Sequence, residues 1–225
     1  AFTKEFLRRH RIPTAAYATF TKASFDPAWV RAQRAPIVVK ASGLAAGKGV
    51  VIAASADEAI STAQAMFAGR FGGAGEEVVI EEFLEGEEAS FIVMADGEHF
   101  LPLATSQDHK RLGDADTGPN TGGMGAYSPA PVVTPAMNDR ILREVIESTI
   151  RGLAADGMPY TGFLYAGIMI APDGTPNVLE FKCSFGDSEC ATGNPMTPAR
   201  FTSFSFSFSF SFSSSPMRFL RFTVL

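Results

Sequence analysis

The sequence predicts an α+β fold, and three observations support that prediction. Two short β-branched runs, residues 37–41 and 50–54, flank a glycine-rich connection and lead into a helical pattern. Residues 78–104 hold three further strand patterns, and Asp96-Gly97 marks a hairpin between the last two. A long apolar stripe at helical spacing and a closing hairpin complete the pattern. Strands therefore make up most of the middle of the chain, with helices before and after them.

The first and the longest helix have recognisable sequence signals. Phe2, Phe6 and Leu7 share one face of a short helix at the start of the chain. Thr134 is a capping residue and Pro135 occupies the first position of the longest helix, where its missing N–H costs nothing. We expect both helices to pack an apolar face on a sheet.

Two further signals set the remaining elements. Ser55 with Glu58 forms a capping box at the start of a middle helix. Residues 172–174, Pro-Asp-Gly, are a turn signal between the last two strands. The final strand delivers Glu180 to its end.

The composition excludes several classes of protein. The 225-residue chain has 19 basic and 24 acidic residues, a net charge of −5, which gives no general attraction for nucleic acid or anionic membrane. Its two cysteines, Cys183 and Cys190, are too few for a disulfide scaffold or a structural zinc site. No apolar run approaches the roughly 20 residues that a membrane helix needs. We therefore expect a soluble, cytoplasmic protein with no nucleic-acid or membrane partner.

The chain divides into a folded part, residues 1–198, and a tail, residues 199–225. Within the folded part, residues 106–131 show no usable periodicity and are expected to form a long ordered loop of the kind that is usually functional. In the tail, residues 201–215 contain six Phe and eight Ser, mostly in alternation. Identical side chains at every second position specify no register, so we expect the tail to be loosely packed and to promote self-association.

A glycine-rich loop follows the strand that contains Lys40. Small residues over 42–49 let backbone N–H groups approach phosphate, and Lys40 and Lys48 supply positive charge. The loop is not a P-loop, because Gly49 stands where that motif has Ser or Thr and a strand follows where a helix should begin. An ordinary glycine-rich hairpin has the same composition, so both interpretations stay open at this point.

Carboxylates cluster at two other places. Five glutamates between residues 81 and 88 surround Phe83 and Leu84, and this pattern fits either a nucleotide hinge or a solvated sheet edge. Glu180 is followed by Asp187 and a further acid, and hard carboxylate oxygens of this kind suit Mg²⁺. Isolated carboxylates at strand ends are more often only solvated.

Four segments resemble the glycinamide ribonucleotide synthetase family, whose members are also called phosphoribosylamine-glycine ligases. They stand in the family's order, are highly specific together, and the resemblance runs from residue 1 to about 189. The segments are residues 36–49 (PIVVKASGLAAGKG), 80–90 (IEEFLEGEEAS), 106–111 (SQDHKR) and 116–129 (DTGPNTGGMGAYSP).

The resemblance implies a fold and a reaction. The fold is the ATP-grasp fold, in which two mixed α/β subdomains hold ATP between them, with the ATP-lid subdomain and hinge within about residues 36–104. The reaction belongs to purine biosynthesis: ATP phosphorylates glycine, and the amine of 5-phosphoribosylamine attacks the glycyl phosphate to give glycinamide ribonucleotide, ADP and phosphate. The implied cofactors are ATP and Mg²⁺ or Mn²⁺, and the implied partners are glycine and 5-phosphoribosylamine. Such a reaction needs charge neutralisation and positioning more than a side-chain nucleophile.

The resemblance also implies roles for individual residues. ATP is expected at Lys40, Gly43, Gly47, Lys48 and Gly49 through its phosphates, at Glu81, Glu82, Phe83 and Leu84 through adenine, and at Glu88 through ribose. Phosphoribosylamine is expected at Asp108, Lys110, Arg111, Asn120, Thr121, Gly122, Gly123, Gly125 and Asp187, and the metal ion at Glu180.

The segment after the last strand departs from the family, whose EFNCRFGDPE is EFKCSFGDSE at residues 180–189 here. Lys182 replaces an Asn metal ligand, and an ammonium group cannot coordinate Mg²⁺. Ser184 replaces an Arg that faces anionic substrate, and Ser188 replaces a Pro. With the family's N-terminal and C-terminal domains also missing from this chain, we expect a truncated ligase of little activity. The alternatives are a nucleotide-binding relative without catalysis, a nonfunctional fragment, and an ATP-grasp ligase with other substrates.

Overall fold

The computed structural model describes residues 1–43, 49–109, 111–114, 117–121 and 125–183, with the backbone alone for 111 and 117–120. The helices in this part are α1 (Phe2–Arg9), α2 (Pro27–Arg31), α3 (Ala56–Ala65), α4 (Pro135–Ile141) and α5 (Ser148–Ala155). The strands are β1 (Tyr17–Thr21), β2 (Ile37–Ala41), β3 (Val50–Ala53), β4 (Glu77–Glu82), β5 (Glu87–Asp96), β6 (Phe100–Pro102), β7 (Gln107–Asp108), β8 (Arg111–Gly113), β9 (Thr117–Asn120), β10 (Ala126–Tyr127), β11 (Thr161–Ile170) and β12 (Pro176–Lys182). None of the helices in these ranges is long and apolar enough to cross a membrane.

The first sheet has the antiparallel order β1-β4-β2-β3 and is covered by α2 and α3. Val39 and Ile80, at the centre of the sheet, pack on Ala59, Ala63 and Met66 from the helix side. The small alanines let the helix approach the sheet closely, so the apolar surface of both is removed from water. This sheet therefore has a hydrophobic core of its own.

The second sheet has the antiparallel order β12-β11-β5-β6 and encloses a separate core. Phe91 and Phe181 from the sheet pack with Phe6 and Leu7 of α1 and with Ile146, which lies in a π-helical turn between α4 and α5. Because strand side chains alternate between faces, the other face of this sheet has a different composition. It presents Glu88, Ser90, Tyr165, Gly167, Glu180 and Lys182.

The structure confirms the α+β class and most predicted elements. Thr134 Oγ accepts a hydrogen bond from the Met137 amide at the start of α4, and Ser55 caps α3 in the same way. Gly174, with a φ of +81°, closes the predicted turn between β11 and β12. Phe2 is an exception, since its side chain is 47% exposed and does not join Phe6 in the core.

Three expectations about organisation need correction. The first sheet begins earlier than predicted, at β1, and the five-residue helix α2 was not predicted either. The segment 36–104 leaves out β1, which pairs in the first sheet, and includes β5 and β6, which pair in the second. The stretch 106–131 is not strand-free: β7 pairs with β10 and β8 with β9. These four strands have two to four residues each, which is too short for periodicity to show.

Candidate functional site

A buried carboxylate between two lysines lies where α1 meets the first sheet. The Glu81 Oε2 atom is 3.0 Å from Lys4 Nζ and 3.1 Å from Lys40 Nζ. The side chains of Glu81, Lys4 and Lys40 are 4%, 7% and 16% exposed, so the group is almost fully removed from solvent. Two ammonium groups share one carboxylate, and the cluster therefore has a net charge of +1.

The local fold explains why these three side chains meet. Glu81 lies in β4, the strand between β1 and β2, with Tyr17 and Val38 as its cross-strand partners. Lys40 is two residues beyond Val38 in β2, on the same side of the sheet. Helix α1 brings Lys4 in from the side of the second sheet, where its Phe6 and Leu7 are buried. The cluster therefore forms only when both sheets are assembled around α1.

Lys4 has further partners that hold it in place. Its Nζ donates to the Thr14 hydroxyl at 2.7 Å, and that hydroxyl donates to the Val178 carbonyl of β12 at 2.7 Å. Burial lowers the pKa of the Lys4 ammonium below its ordinary value, and the attraction of Glu81 opposes that shift. The side chain is thus a desolvated cation in a fixed position, which is favourable for binding an anion.

A cleft of about 60 Å³ opens beside this lysine cluster. Its lining combines charged groups with backbone and apolar side chains from α1, the first sheet and β12. The residues that line it include Thr3, Lys4, Lys40, Ser42, Val79, Glu81 and Leu179.

Gly43, the first glycine of the predicted phosphate loop, has a structural reason to be glycine. A Cβ at this position would lie 2.5 Å from the Ala74 Cα, and the Gly43 amide donates to the Ala74 carbonyl at 3.1 Å. Its amide therefore pairs with protein in this conformation and is not directed at a ligand. At the other end of the loop, the Gly49 carbonyl oxygen accepts a hydrogen bond from the Ala41 amide at 2.9 Å.

The predicted hinge is the connection between the two sheets. Strand β4 ends at Glu82, whose amide donates to the Ala16 carbonyl and whose carboxylate accepts from the Ala16 amide at 2.8 Å. Phe83 and Leu84 follow outside the strand and are half-buried. Gly86 has a φ of +151°, and a Cβ there would lie 2.2 Å from the Ile170 carbonyl oxygen. The connection is therefore pressed tightly against β11.

Glu88 and Glu81 occupy different surroundings, although the sequence groups them together. Glu88 is half-buried in β5, opposite Met169, and its strand belongs to the second sheet. The Glu81 carboxylate lies in the first sheet and pairs with Lys4 and Lys40. The glutamate cluster of the sequence is thus divided between two sheets.

The predicted metal ligand Glu180 already has a cation beside it. Its Oε1 is 3.0 Å from Lys182 Nζ, and this ammonium lies 4.8 Å from the centre of the Tyr165 ring. The Tyr165 hydroxyl and Ser90 Oγ are 3.0 Å apart in the buried layer below. Within the described ranges, no three His, Cys, Asp or Glu side chains are grouped to hold a metal ion. The described residues around Glu180 therefore do not fit a Mg²⁺ site.

The described residues between 107 and 127 contain two short strand pairs, β7 with β10 and β8 with β9, which together are called the arm. Asp108 is opposite Ala126, and further along Arg111 is opposite Asn120. Gly125, with a φ of +139°, accepts a hydrogen bond from the His109 amide at 2.8 Å. Paired backbone bonds between Ser106 and Ser90 attach the arm to the second sheet.

The structure brings some predicted substrate residues together and leaves others outside the described ranges. The arm joins the predicted residues Asp108, Arg111, Asn120, Thr121 and Gly125. The predicted residues outside the described ranges are Gly47, Lys48, Lys110, Gly122, Gly123 and Asp187. The altered positions Ser184 and Ser188 and the Phe/Ser tail are outside them as well.

Comparison with known proteins decides the family. The model of the phosphoribosylglycinamide synthetase ATP-grasp (A) domain matches residues 1–190. The chain belongs to this family. Phosphoribosylamine-glycine ligases from Vibrio vulnificus and Escherichia coli K12 are 68% and 62% identical to it over 190 residues, which are 84% of this chain and 44% of each relative. The chain thus spans less than half the length of these curated relatives.

Solved structures agree on the fold of this ATP-grasp domain. The crystal structure of phosphoribosylamine-glycine ligase from Thermotoga maritima superposes with a TM-score of 0.74 at 37% identity, over 84% of this chain and 48% of that one. D-alanine-D-alanine ligase from Bacillus anthracis shares the fold, with a TM-score of 0.61 at 21% identity, over 85% of this chain and 59% of that one. The two-sheet arrangement described above is therefore the ATP-grasp fold.

Two residues of the site were not predicted from the sequence of this ATP-grasp domain. Lys4 lies in a helix whose only visible pattern is its apolar face, and no spacing connects it with Lys40 or Glu81. Tyr165 is one residue in an apolar strand run, and only the register of β11 against β12 places it under Lys182. The one available signal was a single lysine in the first turn of α1, two residues from Phe2 and from Phe6.

Proposed function

We propose that this chain is the nucleotide-binding part of a phosphoribosylamine-glycine ligase of purine biosynthesis. In the proposed reaction, the γ-phosphate of ATP passes to the carboxylate of glycine, which gives glycyl phosphate and ADP. The amine of 5-phosphoribosylamine then attacks the acyl carbon, forms the C–N bond, loses a proton and displaces phosphate. The chain acts in the cytoplasm on these small molecules, without a nucleic-acid or membrane partner.

The observation that supports this proposal most is the cluster of Lys4, Glu81 and Lys40. A net positive charge, fixed and almost fully desolvated beside an open cleft, is the arrangement that binds polyphosphate strongly. Lys40 and Lys4 bind the phosphates of ATP in this proposal, together with the loop from Gly43 to Gly49. Glu81 acts through the lysines, because its carboxylate holds both ammonium groups at the cleft.

The remaining proposed contacts follow the two-sheet arrangement. Phe83 and Leu84 lie outside β4 at the connection between the sheets, where backbone groups are available to pair with adenine. Glu88, half-buried in β5, accepts hydrogen bonds from the ribose hydroxyls. The arm holds phosphoribosylamine in this proposal, because its sequence includes Arg and Asn, residue types whose N–H donors suit a phosphate group. Mg²⁺ is left out of this proposal, since the described surroundings of Glu180 do not fit it.

A second candidate function is nucleotide binding without ligation. The observation that favours it is the ion pair between Lys182 and Glu180, which replaces a metal ligand by a cation. Loss of metal-assisted neutralisation slows phosphoryl transfer by orders of magnitude. The two candidates differ in turnover and not in nucleotide affinity.

Calorimetric titration of the full chain with ATP tests nucleotide binding. Lys40→Met removes a charge-assisted contact, and we expect the affinity to fall about tenfold to a hundredfold. Arg151→Met is the matched control, because it removes one positive charge from the exposed surface of α5. Equal ATP affinity in both variants, or no ATP binding by the wild-type chain, would contradict the proposal.

Product formation distinguishes ligation from simple nucleotide binding. ADP and phosphate release is measured with glycine and 5-phosphoribosylamine supplied together and then with each omitted. Release that requires both substrates supports the ligase, whereas nucleotide binding with no substrate-dependent release supports the second candidate. ATP hydrolysis at the same rate with and without glycine and 5-phosphoribosylamine would contradict both candidates.

A further inference from the structure

The ion pair between Glu180 and Lys182 is placed on the polar face of the second sheet. The two residues are opposite Gly167 and Tyr165 in β11, and the missing side chain of Gly167 leaves room for Glu180, whose Cγ would be 3.1 Å from a Cβ there. Lys182 is 41% exposed while Glu180 is 16% exposed. The carboxylate is therefore partly enclosed, and the ammonium remains accessible to solvent.

The geometry of Lys182 leaves its ammonium with unused binding capacity. An ammonium group has three N–H donors. One side of it faces the Glu180 carboxylate. Another side faces the ring of Tyr165, which attracts the positive charge electrostatically. The exposed side can still donate to an anionic oxygen of a ligand. The contact with Glu180 holds the side chain in one position.

The same geometry opposes a divalent cation. Mg²⁺ requires an octahedral shell of oxygen ligands, and here the only described candidate, Glu180, is already neutralised at 3.0 Å. A metal ion at this carboxylate would also lie within a few ångströms of a fixed positive charge, and that repulsion is substantial in a partly enclosed site. The Lys182 ammonium therefore supplies the positive charge at this site in place of a metal ion bound from solution.

The position of this pair connects it with the lysine cluster. Leu179, the residue before Glu180, lines the same cleft as Lys4 and Lys40. Gly167 pairs with Glu180 and Ile168 with Val178, so Leu179 is the extra residue of a β-bulge in β12. A bulge bends its strand locally. Strand β12 thus reaches both the lysine cluster and the Glu180 pair within two residues.

We propose that the Lys182 ammonium takes the place of a divalent cation, so that this chain binds free ATP without Mg²⁺ at least as tightly as it binds Mg²⁺-bound ATP. This inference rests on the proposed function, because it concerns the same nucleotide site. The chemical basis is that one fixed positive charge contributes to phosphate binding whether or not metal is present. A Mg²⁺ ion bound to the nucleotide is repelled by the Lys182 ammonium and finds no free carboxylate ligand at Glu180.

The experiment compares ATP affinity in excess Mg²⁺ and in excess EDTA for the full-length wild-type chain, Lys182→Asn and Lys182→Arg. For the wild type and Lys182→Arg, which keep the charge, we expect EDTA to leave the affinity unchanged or to increase it. For Lys182→Asn, which restores an oxygen ligand, we expect a loss of about tenfold to a hundredfold in EDTA. Mg²⁺ should recover most of that loss in Lys182→Asn alone. Circular dichroism spectra establish that each variant is folded.

Three different results would overturn the inference. Wild-type binding that disappears in EDTA and returns with Mg²⁺ would overturn metal independence while leaving the proposed ATP site intact. Absence of ATP binding by the folded wild type in both buffers would overturn the proposed function and this inference with it. Equal metal dependence of the wild type and Lys182→Asn would show that Lys182 does not act on the nucleotide.

Discussion

Replacing Glu81 by Gln tests whether the lysine cluster is built as the distances indicate. The substitution keeps the size of the side chain and one acceptor oxygen, but removes the negative charge that two ammonium groups share at 3.0 and 3.1 Å. Lys4 and Lys40 then face each other without a counter-charge. The side chain of Lys4 is only 7% exposed, so its ammonium stays largely desolvated when the carboxylate charge is lost.

The expected cost follows from the burial of the partners. An exposed ion pair contributes about 0 to 1 kcal/mol, whereas removing one partner of a buried pair costs about 3 to 5 kcal/mol, because an uncompensated charge stays inside. The exposures of 4% and 7% for Glu81 and Lys4 place Glu81→Gln in the buried class. A typical domain has only about 5 to 15 kcal/mol of unfolding free energy, so the loss should be a large part of the total.

Urea unfolding with linear extrapolation measures this loss directly. The matched control is Glu147→Gln, whose ion pair with Arg151 at 2.8 Å joins side chains that are 37% and 79% exposed. We expect the control to change the free energy of unfolding by no more than about 0.5 kcal/mol. If both variants lost the same small amount, the buried cluster would not be a stabilising feature, and the reasoning from its geometry would be refuted.

Two further predictions concern pH and backbone strain. Burial lowers the pKa of Lys4 below its ordinary value of 10.5. Between these two pKa values the unfolded chain binds more protons than the folded one. The free energy of unfolding therefore rises with pH in that range. Lys4→Met should remove this rise in urea titrations across the alkaline range, and parallel curves for the two proteins would contradict the sign. Gly86→Ala should cost roughly 1 to 3 kcal/mol in thermal unfolding, because its new methyl group would lie 2.2 Å from the Ile170 carbonyl at a φ of +151°. Gly73→Ala, where nothing lies closer than 3.8 Å, should cost clearly less.

Much of the fold could be predicted from local sequence, and the exceptions have physical reasons. The strands with β-branched runs and the capped helices were found because propensity and capping are local properties. Helix α2 also had a local signal, Asp26 before Pro27, and its Asp26 carboxylate does accept from the Ala28 amide at 2.9 Å. The arm strands had none, because pairs such as Arg111 with Asn120 are held by backbone hydrogen bonds and not by an apolar face.

The site was less predictable than the fold because its charges meet through tertiary structure. Lys40 and Glu81 were both singled out, but for different parts of the nucleotide. Their contact depends on the register of β2 against β4, which joins residues 41 positions apart in the chain. Lys4 enters only because α1 packs on the second sheet while its ammonium reaches the first. No periodicity within α1 contains that information.

The two halves of the site differ in what this chain has kept. On the first sheet, Glu81 pairs with both Lys4 and Lys40, and this cluster has a net positive charge beside the cleft. On the second sheet, the Lys182 ammonium neutralises Glu180, the residue that the sequence predicts as a metal ligand. In the proposed function, nucleotide binding depends mainly on the first arrangement, and phosphoryl transfer depends on both. We therefore expect loss of the charge at residue 40 to lower ATP affinity whether or not Mg²⁺ is present. Loss of the charge at residue 182 should lower it mainly when Mg²⁺ is absent, and should also change turnover.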